Sequence, residues 1–503
     1  MFKILNASKD TYITNKIING VASVNSNVGK ASTLDLYKLY GENTSGSLNQ
    51  PVVEYTRLLI KFDLSTLRTL ISQNKVDVTS PLFNAQLVLF DVYGGQPTPE
   101  NFTIKICPLS KSFDEGRGKD IVRYADLDAC NFITASYPNN TWLLPGANMS
   151  GSVPTACDFY TTLSNVNDLI ATQSFTTGEE NLCVDVTKAI SASLYGSIPD
   201  EGFRISFNDV IDNDNRTYFV KRFVGRNAYN EDLHPRLIIR YDSSIQDDSQ
   251  ILELDYTNNI FLYNYHFGAL QNLSSGSSTL TGSNCVQLKL LTPISGGYYE
   301  LLFTGSQYSQ GINNIVGIYS ASVFVPSTNT HVKLKLQQTG SIDFTPVWSS
   351  LDNSVTFVSG TTLTFHEPLK LSYKVDHNQY VVTTSGIRAT HKTNENIVIR
   401  INIFDYTSPL IKFVKMPIEL SGKVLRNVHY QVRDSQTGDV IIPFDKIYNS
   451  TRASSDNKGM YFELDTSNLK NQRSYVIDIM ISTQDNDYIY KNVSNIFQIN
   501  NLN

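Results

Sequence analysis

Short runs in which every second residue is apolar recur along the whole chain, and they constrain its fold more than any other feature. Thr103–Cys107 reads TIKIC, Phe203–Phe207 reads FRISF, His331–Leu336 reads HVKLKL and Tyr475–Ile481 reads YVIDIMI. Extended backbone sends successive side chains to opposite faces, so this spacing predicts strands with one buried face. Ala85–Val92 (AQLVLFDV) is more continuously apolar and also reads as a strand. Turn-forming clusters separate such runs: Gly94-Gly95, Gly116–Gly118, Asp212–Asn215, Gly296-Gly297 and Gln436–Asp439. Helical spacing is confined to two short segments. Ser65–Gln73 carries Leu67, Leu70 and Ile71 behind Ser65 as a cap, and Asp185–Tyr195 carries Val186, Ile190 and Leu194. The expected class is all-β, built of tandem β-sandwiches.

A single core does not serve 503 residues, because domains run to about 100–200 residues. After the expected strand Arg236–Tyr241, the stretch Asp242–Gln250 (DSSIQDDSQ) is polar and acidic, the composition of a linker. A second break falls near His366–Pro368, between expected strands at Thr361–Phe365 and Leu369–Val375. The predicted domains are therefore 1–242, 243–368 and 369–503. The last two have the length of immunoglobulin-like sandwiches. No fixed-period repeat is visible, which argues against a solenoid.

Charge narrows the function classes. With 41 basic and 47 acidic side chains the net charge is −6, and no Lys/Arg-rich stretch stands out. A duplex-binding face needs dense positive charge to displace phosphate counterions, so nucleic acid is not an expected partner. Apolar clusters such as Leu58–Ile60 are only a few residues long, against the roughly 20 a membrane helix requires. The opening MFKILNASKDTYI has no basic segment leading into an apolar run. A chain made in the cytoplasm, not associated with membrane, is expected. Its five cysteines, Cys107, Cys130, Cys157, Cys183 and Cys285, are then expected as free thiols.

Residues that could carry chemistry are few. None of the seven histidines sits in an H-x-x-x-H or H-E-x-x-H pattern, and Asp376-His377 reads as a polar turn. Asp114-Glu115 and Glu179-Glu180 could supply the paired carboxylates of a glycosidase, and Lys221-Arg222 with Arg226 and Tyr218 could be drawn as a lyase site. Solvated turns and an exposed charged strand explain them better, and no enzyme is expected. Calcium takes about six to eight oxygen ligands. The crowded turn holding Asp209, Asp212 and Asp214 is the candidate for a structural calcium, the one cofactor considered, although its spacing is not that of an EF-hand. For sugar contact, which favours exposed aromatics and forked Arg donors, the candidates are Trp142, Tyr218, Arg222 and Arg226.

One ordered series of motifs resembles a known family. It runs Asp10-Thr11-Tyr12-Ile13, Asn25–Gly29, Arg57–Ser65 (RLLIKFDLS), Ala85–Val92, Ser112–Gly118 (SFDEGRG), Trp142–Gly146 (WLLPG), Cys183–Thr187 (CVDVT), Gly202–Phe207 and His234–Tyr241 (HPRLIIRY). In this order it resembles the DNRLRE-type domain, a carbohydrate-binding-module-like jelly roll, over residues 1–242. Two departures stand out: Asp114 separates Phe113 from Glu115, and Arg222–Arg226 (RFVGR) replaces the family's late Arg/Glu-rich segment. The resemblance implies an N-terminal jelly roll ahead of the two immunoglobulin-like domains. Such domains occur in bacterial surface proteins, polysaccharide-active enzymes and phage particles, and function resides in sites rather than folds. Adhesin-like composition without an export signal fits a virion protein, assembled in the host cytoplasm. The expected role is a structural component of a bacteriophage neck, tail or baseplate. Its expected partners are other virion proteins in a symmetric homo-oligomer, with surface polysaccharide as a further partner. The alternatives are a bacterial cell-surface carbohydrate-binding protein and the binding modules of a polysaccharide-degrading enzyme.

Overall fold

The protein is described by a computed structural model covering residues 1–500 apart from 46–49, 74, 93–99, 123–125, 127, 149–156, 166, 246, 248–251, 311–312, 368–379, 406–422, 457 and 484–485. The Gly94-Gly95 turn, the strand expected at 369–375, the Asp376-His377 pair and positions 246 and 248–250 of the expected linker lie outside the described residues. Strand accounts for 49% of the chain and helix for 9%, so the protein is all-β with sandwich-like sheets. It forms two compact units. The first comprises Lys3–Ile71 and Phe83–Arg240; the second comprises Met1–Phe2, Ser72–Leu82 and Tyr241–Asn503.

Ten strands build the main sheet that serves the first unit: β1 (Phe2–Thr14), β2 (Thr33–Ser45), β3 (Gln50–Phe62), β4 (Asn84–Leu89), β5 (Phe102–Pro108), β6 (Ala171–Phe175), β7 (Leu182–Asp185), β8 (Phe203–Phe207), β9 (Tyr218–Val224) and β10 (Arg236–Arg240). Their order is β6-β5-β8-β3-β1-β10-β4-β7, with β2 joining β3 to β9. Leu58, Ile60 and Phe62 of β3 turn to one core, as their alternation requires, but Arg57 and Leu59 on the opposite face are buried as well. The cause is the long insertion between β5 and β6. Leu109, Phe113, Cys130, Ala135, Trp142 and Ala147 from it pack with Ile13 and Leu59 in a second hydrophobic cluster. The two ends of the strand order are tied by one side chain. Gln173 on β6 accepts from the Cys183 amide at 2.6 Å and donates to the Asn181 carbonyl at 2.8 Å, as a neighbouring strand would.

Helix α1 (Ser65–Ser72) starts at the expected residue, yet its first amide is met by Asp63, whose Oδ1 accepts from Ser65 N at 2.9 Å. Helix α2 (Thr187–Tyr195) opens on a hydrogen bond from Thr187 N to Asp185 Oδ1 at 2.8 Å and ends at Gly196 with φ +84°. That left-handed conformation is open to glycine without strain.

In the second unit, β11 (Thr257–Tyr263), β12 (Val286–Ile294), β13 (Gly297–Gln310), β14 (Asn313–Phe324), β15 (Ser341–Ser349), β16 (Thr356–Ser359) and β17 (Leu363–His366) form one sheet. Its order is β11-β14-β13-β12-β15-β16, with β17 on β15. The strand expected at His331–Leu336 is instead part of a helix over Thr330–Thr339. Val332 and Leu336 are four residues apart and satisfy a helical face as well as a strand face. The caps decide it: Asn329 accepts from the His331 amide at 3.0 Å, and Gly340, at φ +73°, returns its amide to Leu336 O at 2.9 Å. Val332 then enters the core beside Phe344, Trp348 and Phe365.

The strands from Tyr380 onward form two further sheets. One orders β18 (Tyr380–Ser385), β20 (Asn396–Asp405), β24 (Gly459–Asp465) and β23 (Ser454–Asp456) as β18-β20-β24-β23. The other orders β19 (Thr390–Lys392), β27 (Phe497–Asn500), β25 (Ser474–Ser482), β21 (Val428–Asp434) and β22 (Val440–Ile442) as β19-β27-β25-β21-β22, with β26 (Asp487–Tyr490) also on β25. Tyr430 of β21 and Phe462 of β24 stack with centroids 4.0 Å apart. Part of the stretch expected as a linker is packed here. Ser455 N donates to Ile245 O at 3.0 Å, and buried Asp247 donates its amide to Ser455 Oγ at 2.8 Å and accepts from Tyr263 OH at 2.8 Å.

Candidate functional site

Two clusters of charged groups stand out in the first unit, and both draw on residues singled out in the sequence. The first cluster lies on the face of β3, β8 and β5 that the insertion covers. Arg204 is opposite Leu59 and Cys107, and Ser206 is opposite Lys105. Partners across a ladder share a face, so Arg57, Arg204 and Lys105 stand on one side of the sheet. Arg57 and Arg204 are only 2% and 3% exposed. Each guanidinium lies over an aromatic ring, Arg57 on Tyr55 and Arg204 on Phe159, both at 4.7 Å from the centroid. Asn148 Oδ1 accepts from Arg57 at 3.2 Å and from Arg204 at 3.5 Å, and Arg204 also donates to Ser206 Oγ at 2.8 Å. Burial lowers the Arg204 pKa to about 10, and the neighbouring Arg57 charge acts in the same direction.

The acidic turn considered for calcium borders this row. It forms helix α3 (Asp209–Asn213), capped by Asn208, whose side chain accepts from Ile211 N at 2.9 Å. Its carboxylates diverge to three cations. Asp209 takes Lys105 at 2.6 Å, Asp212 takes Arg57 at 2.7 Å and Asp214 takes Lys38 at 2.7 Å. Asp212 is raised by burial, which the Arg57 charge opposes. For Asp214, burial acts upward, but hydrogen bonds from Lys38 and Tyr218 hold it below the ordinary carboxylate range. Among the described residues, no group of three or more His, Cys, Asp or Glu is placed to hold a metal ion.

The second cluster joins two segments of the motif series to the RFVGR segment that departs from the family. Asp10 from β1, 1% exposed, accepts from the Arg226 amide through Oδ2 at 2.6 Å and donates its own amide to Glu115 Oε1 at 3.0 Å. Arg226 Nη1 donates to both Glu115 oxygens, at 2.8 and 3.0 Å. Asn27 ties in a fourth segment. Its Nδ2 donates to the Glu115 and Cys130 carbonyls, both at 2.8 Å, and its Oδ1 accepts from Gly29 N at 3.0 Å and Gly118 N at 3.2 Å. The glycines permit this approach. A Cβ at Gly29 would stand 1.9 Å from the Glu115 carbonyl oxygen, and one at Gly118 would stand 1.6 Å from the Asn27 carbonyl oxygen. Burial pushes the Asp10 carboxyl up to about 7; the hydrogen bond from the Arg226 amide opposes that shift, and the Glu115 charge adds to it.

The four residues considered for sugar contact are separated by these arrangements. Trp142 is 4% exposed and donates its indole N–H to Asn131 O at 2.9 Å. Tyr218 hydrogen bonds Asp214 through its hydroxyl at 2.7 Å and packs its ring on Phe207. Arg222 forks onto Asp35 at 2.9 and 3.2 Å, and Arg226 belongs to the Asp10 cluster. Of the residues considered for catalysis, Glu180 accepts from the Thr176 and Thr177 amides at 2.8 and 2.9 Å, and buried Lys221 bonds Asp91 and the Gly178 and Glu180 carbonyls. The sequence reading did not single out Lys38, Lys105 or Arg204. Lys38 alone carried a signal, a charge in step with Leu34 and Leu36, whereas Lys105 and Arg204 alternate with apolar residues as solvent-facing positions do.

No family model matches the chain, and no curated protein matches it. Among solved structures, it is similar to the D00-D0 domain of intimin, with 7% identity, 44% of this chain and 94% of that chain covered, and a TM-score of 0.14. It is also similar to murine CEACAM1b, with 11% identity, 52% and 99% covered, and a TM-score of 0.13. Likenesses at such scores carry no argument about fold or function.

Proposed function

We propose that the chain is a non-enzymatic structural protein of a bacteriophage particle, a neck, tail or baseplate accessory component working in a symmetric assembly with other virion proteins. In this reading, residues 1–242 form a jelly roll and 243–368 and 369–503 two immunoglobulin-like sandwiches. One observation carries it. The charged side chains that could have performed chemistry are used as cross-links between distant segments: Lys38 with Asp214, Arg57 with Asp212, Lys105 with Asp209, Lys221 with Asp91, Arg222 with Asp35 and Arg226 with Glu115. Such pairs hold loops rigidly to a sheet, which suits a part that must tile against symmetric neighbours. The motif series resembling the DNRLRE-type domain adds support, since domains of that kind occur in phage particles. Quantitative mass spectrometry of density-purified particles tests the assignment. The chain is expected at a copy number that is a simple multiple of three or six. Its absence from washed particles overturns the reading, as does turnover of a polysaccharide by the purified chain.

A further inference from the structure

Among the described lysine–carboxylate pairs of the first unit, Lys221 with Asp91 is the most enclosed: the two side chains are 0% and 11% exposed. Asp214 beside Lys38 and Asp209 beside Lys105 are 27% and 59% exposed, so water reaches both. Lys221 comes from β9, opposite Leu36 of β2. Asp91 lies two residues beyond β4 and bridges Phe223, which follows Lys221 on the same face of β9. Adjacent strands thus bring together two side chains 130 residues apart in the chain. Lys221 Nζ donates to Asp91 Oδ1, to Gly178 O at 2.6 Å and to Glu180 O at 2.9 Å. The buried rings of Phe175 and Phe223 wall it at 5.1 and 5.2 Å. A second acid stands close by. Glu180 Oε1 accepts from the Thr176 and Thr177 amides, while its Oε2 is buried without a hydrogen-bond partner among the described residues.

We propose that Lys221 and Asp91 condense after folding into an intramolecular amide, a covalent cross-link between β9 and the segment after β4, with Glu180 as proton carrier. The ion pair already contains every atom required. Nζ bonds to Asp91 Cγ, one Cγ–Oδ bond breaks, and that oxygen leaves as water with two of the ammonium protons. The remaining proton stays on the amide nitrogen, and no oxidant or co-reactant enters. The amine must first shed a proton. Burial lowers the Lys221 pKa, which the hydrogen bond and charge of Asp91 oppose. On Glu180 burial acts upward, but hydrogen bonds from the Thr177 and Thr176 amides hold it down to about 2. Its carboxylate therefore stands ionised, keeps a proton taken from Nζ only in passing, and gives it up to the departing oxygen. The Gly178 and Glu180 carbonyls fix Nζ at the carboxyl, which replaces a chance encounter by a held approach. Enclosure favours the product, because desolvation disfavours a buried ion pair and the amide carries no charge. The bond is a property of the chain itself and does not depend on the assembly that the chain serves.

Mass spectrometry of the purified full chain, intact and after digestion, tests this. The wild-type peptides holding Asp91 and Lys221 are expected joined, with a combined mass short by one water, and the intact chain short by the same amount. Lys221→Met and Asp91→Ala are expected at the full masses of their sequences. Glu180→Gln keeps an oxygen for the Thr176 and Thr177 amides, so its fold is retained, but it cannot carry the proton. Its two peptides are expected apart when those of the wild type are fully joined. Recovery of the two wild-type peptides as separate species overturns the proposal, and so does a missing water that maps to Lys38 and Asp214. Glu180→Gln joined as fully as the wild type overturns the role given to Glu180. The wild-type map decides the bond even where a substituted chain fails to fold.

Discussion

A buried ionisable side chain records its surroundings in the pH at which it changes charge, and the second unit holds a case opposite in sign to Asp10. His429 lies on β21 and is 3% exposed. Burial pushes its imidazole down to about 4, and the Arg452 charge acts in the same direction. The unfolded chain binds this proton near pH 6.5 and the folded chain does not. Stability is therefore full above about 6.5 and falls as the pH drops towards 4, by up to about 3 kcal/mol if no other group compensates. His429→Leu is expected to remove that part of the acid sensitivity. Urea unfolding of both proteins at pH 7 and pH 4.5 measures it, and an equal acid loss in the two would show that another group is responsible. The buried cations were the least legible residues in the sequence. In FRISF the arginine alternates with apolar residues as a solvent-facing position would. Only the insertion packed over that face makes Arg204 interior, and an insertion distant in sequence leaves no local mark.

Elements were legible where pattern and punctuation agreed. Phe203–Phe207 forms the strand its alternation predicts, and β25 extends the expected Tyr475–Ile481 by one residue at each end. The segment at His331–Leu336 went the other way because Val332 and Leu336 satisfy both periods and the deciding signals, Asn329 and Gly340, sit outside the apolar run. Trp142 was a candidate for sugar contact, which favours exposed aromatics, yet it fills the core of the insertion. Nothing in the sequence announces how the ends of the sheet of the first unit are tied, since Gln173 in ATQSF shares a face with Ala171 and Phe175 but carries no mark of the strand it meets. Gln173→Ala is expected to cost about 2 kcal/mol, for two hydrogen bonds at roughly 1 kcal/mol each. It should also speed exchange of the Cys183 amide, which donates to this side chain. A variant with wild-type stability and an unchanged Cys183 amide would mean that β6 and β7 are held together without the glutamine.

At the scale of the whole molecule, the chain offers its own reporters. It has two tryptophans: Trp142 packs in the insertion cluster of the first unit and Trp348 in the core of the second. They are 4% and 2% exposed, so both should emit at short wavelength and resist quenching by iodide. Trp142→Phe leaves the second unit as the sole source of signal, and Trp348→Phe leaves the first; each replaces an aromatic by a smaller one at a modest cost. Compact units with separate cores are expected to melt with separate midpoints. The substitutions argued above then become addresses. Gln173→Ala should move only the transition seen by Trp142, because its partners Asn181 and Cys183 lie within the first unit. His429→Leu, below pH 6.5, should move only the transition seen by Trp348. Fluorescence melts of the four double variants decide the matter. If either substitution shifts both signals by the same amount, the two cores unfold as one cooperative body, and the division into independent units fails.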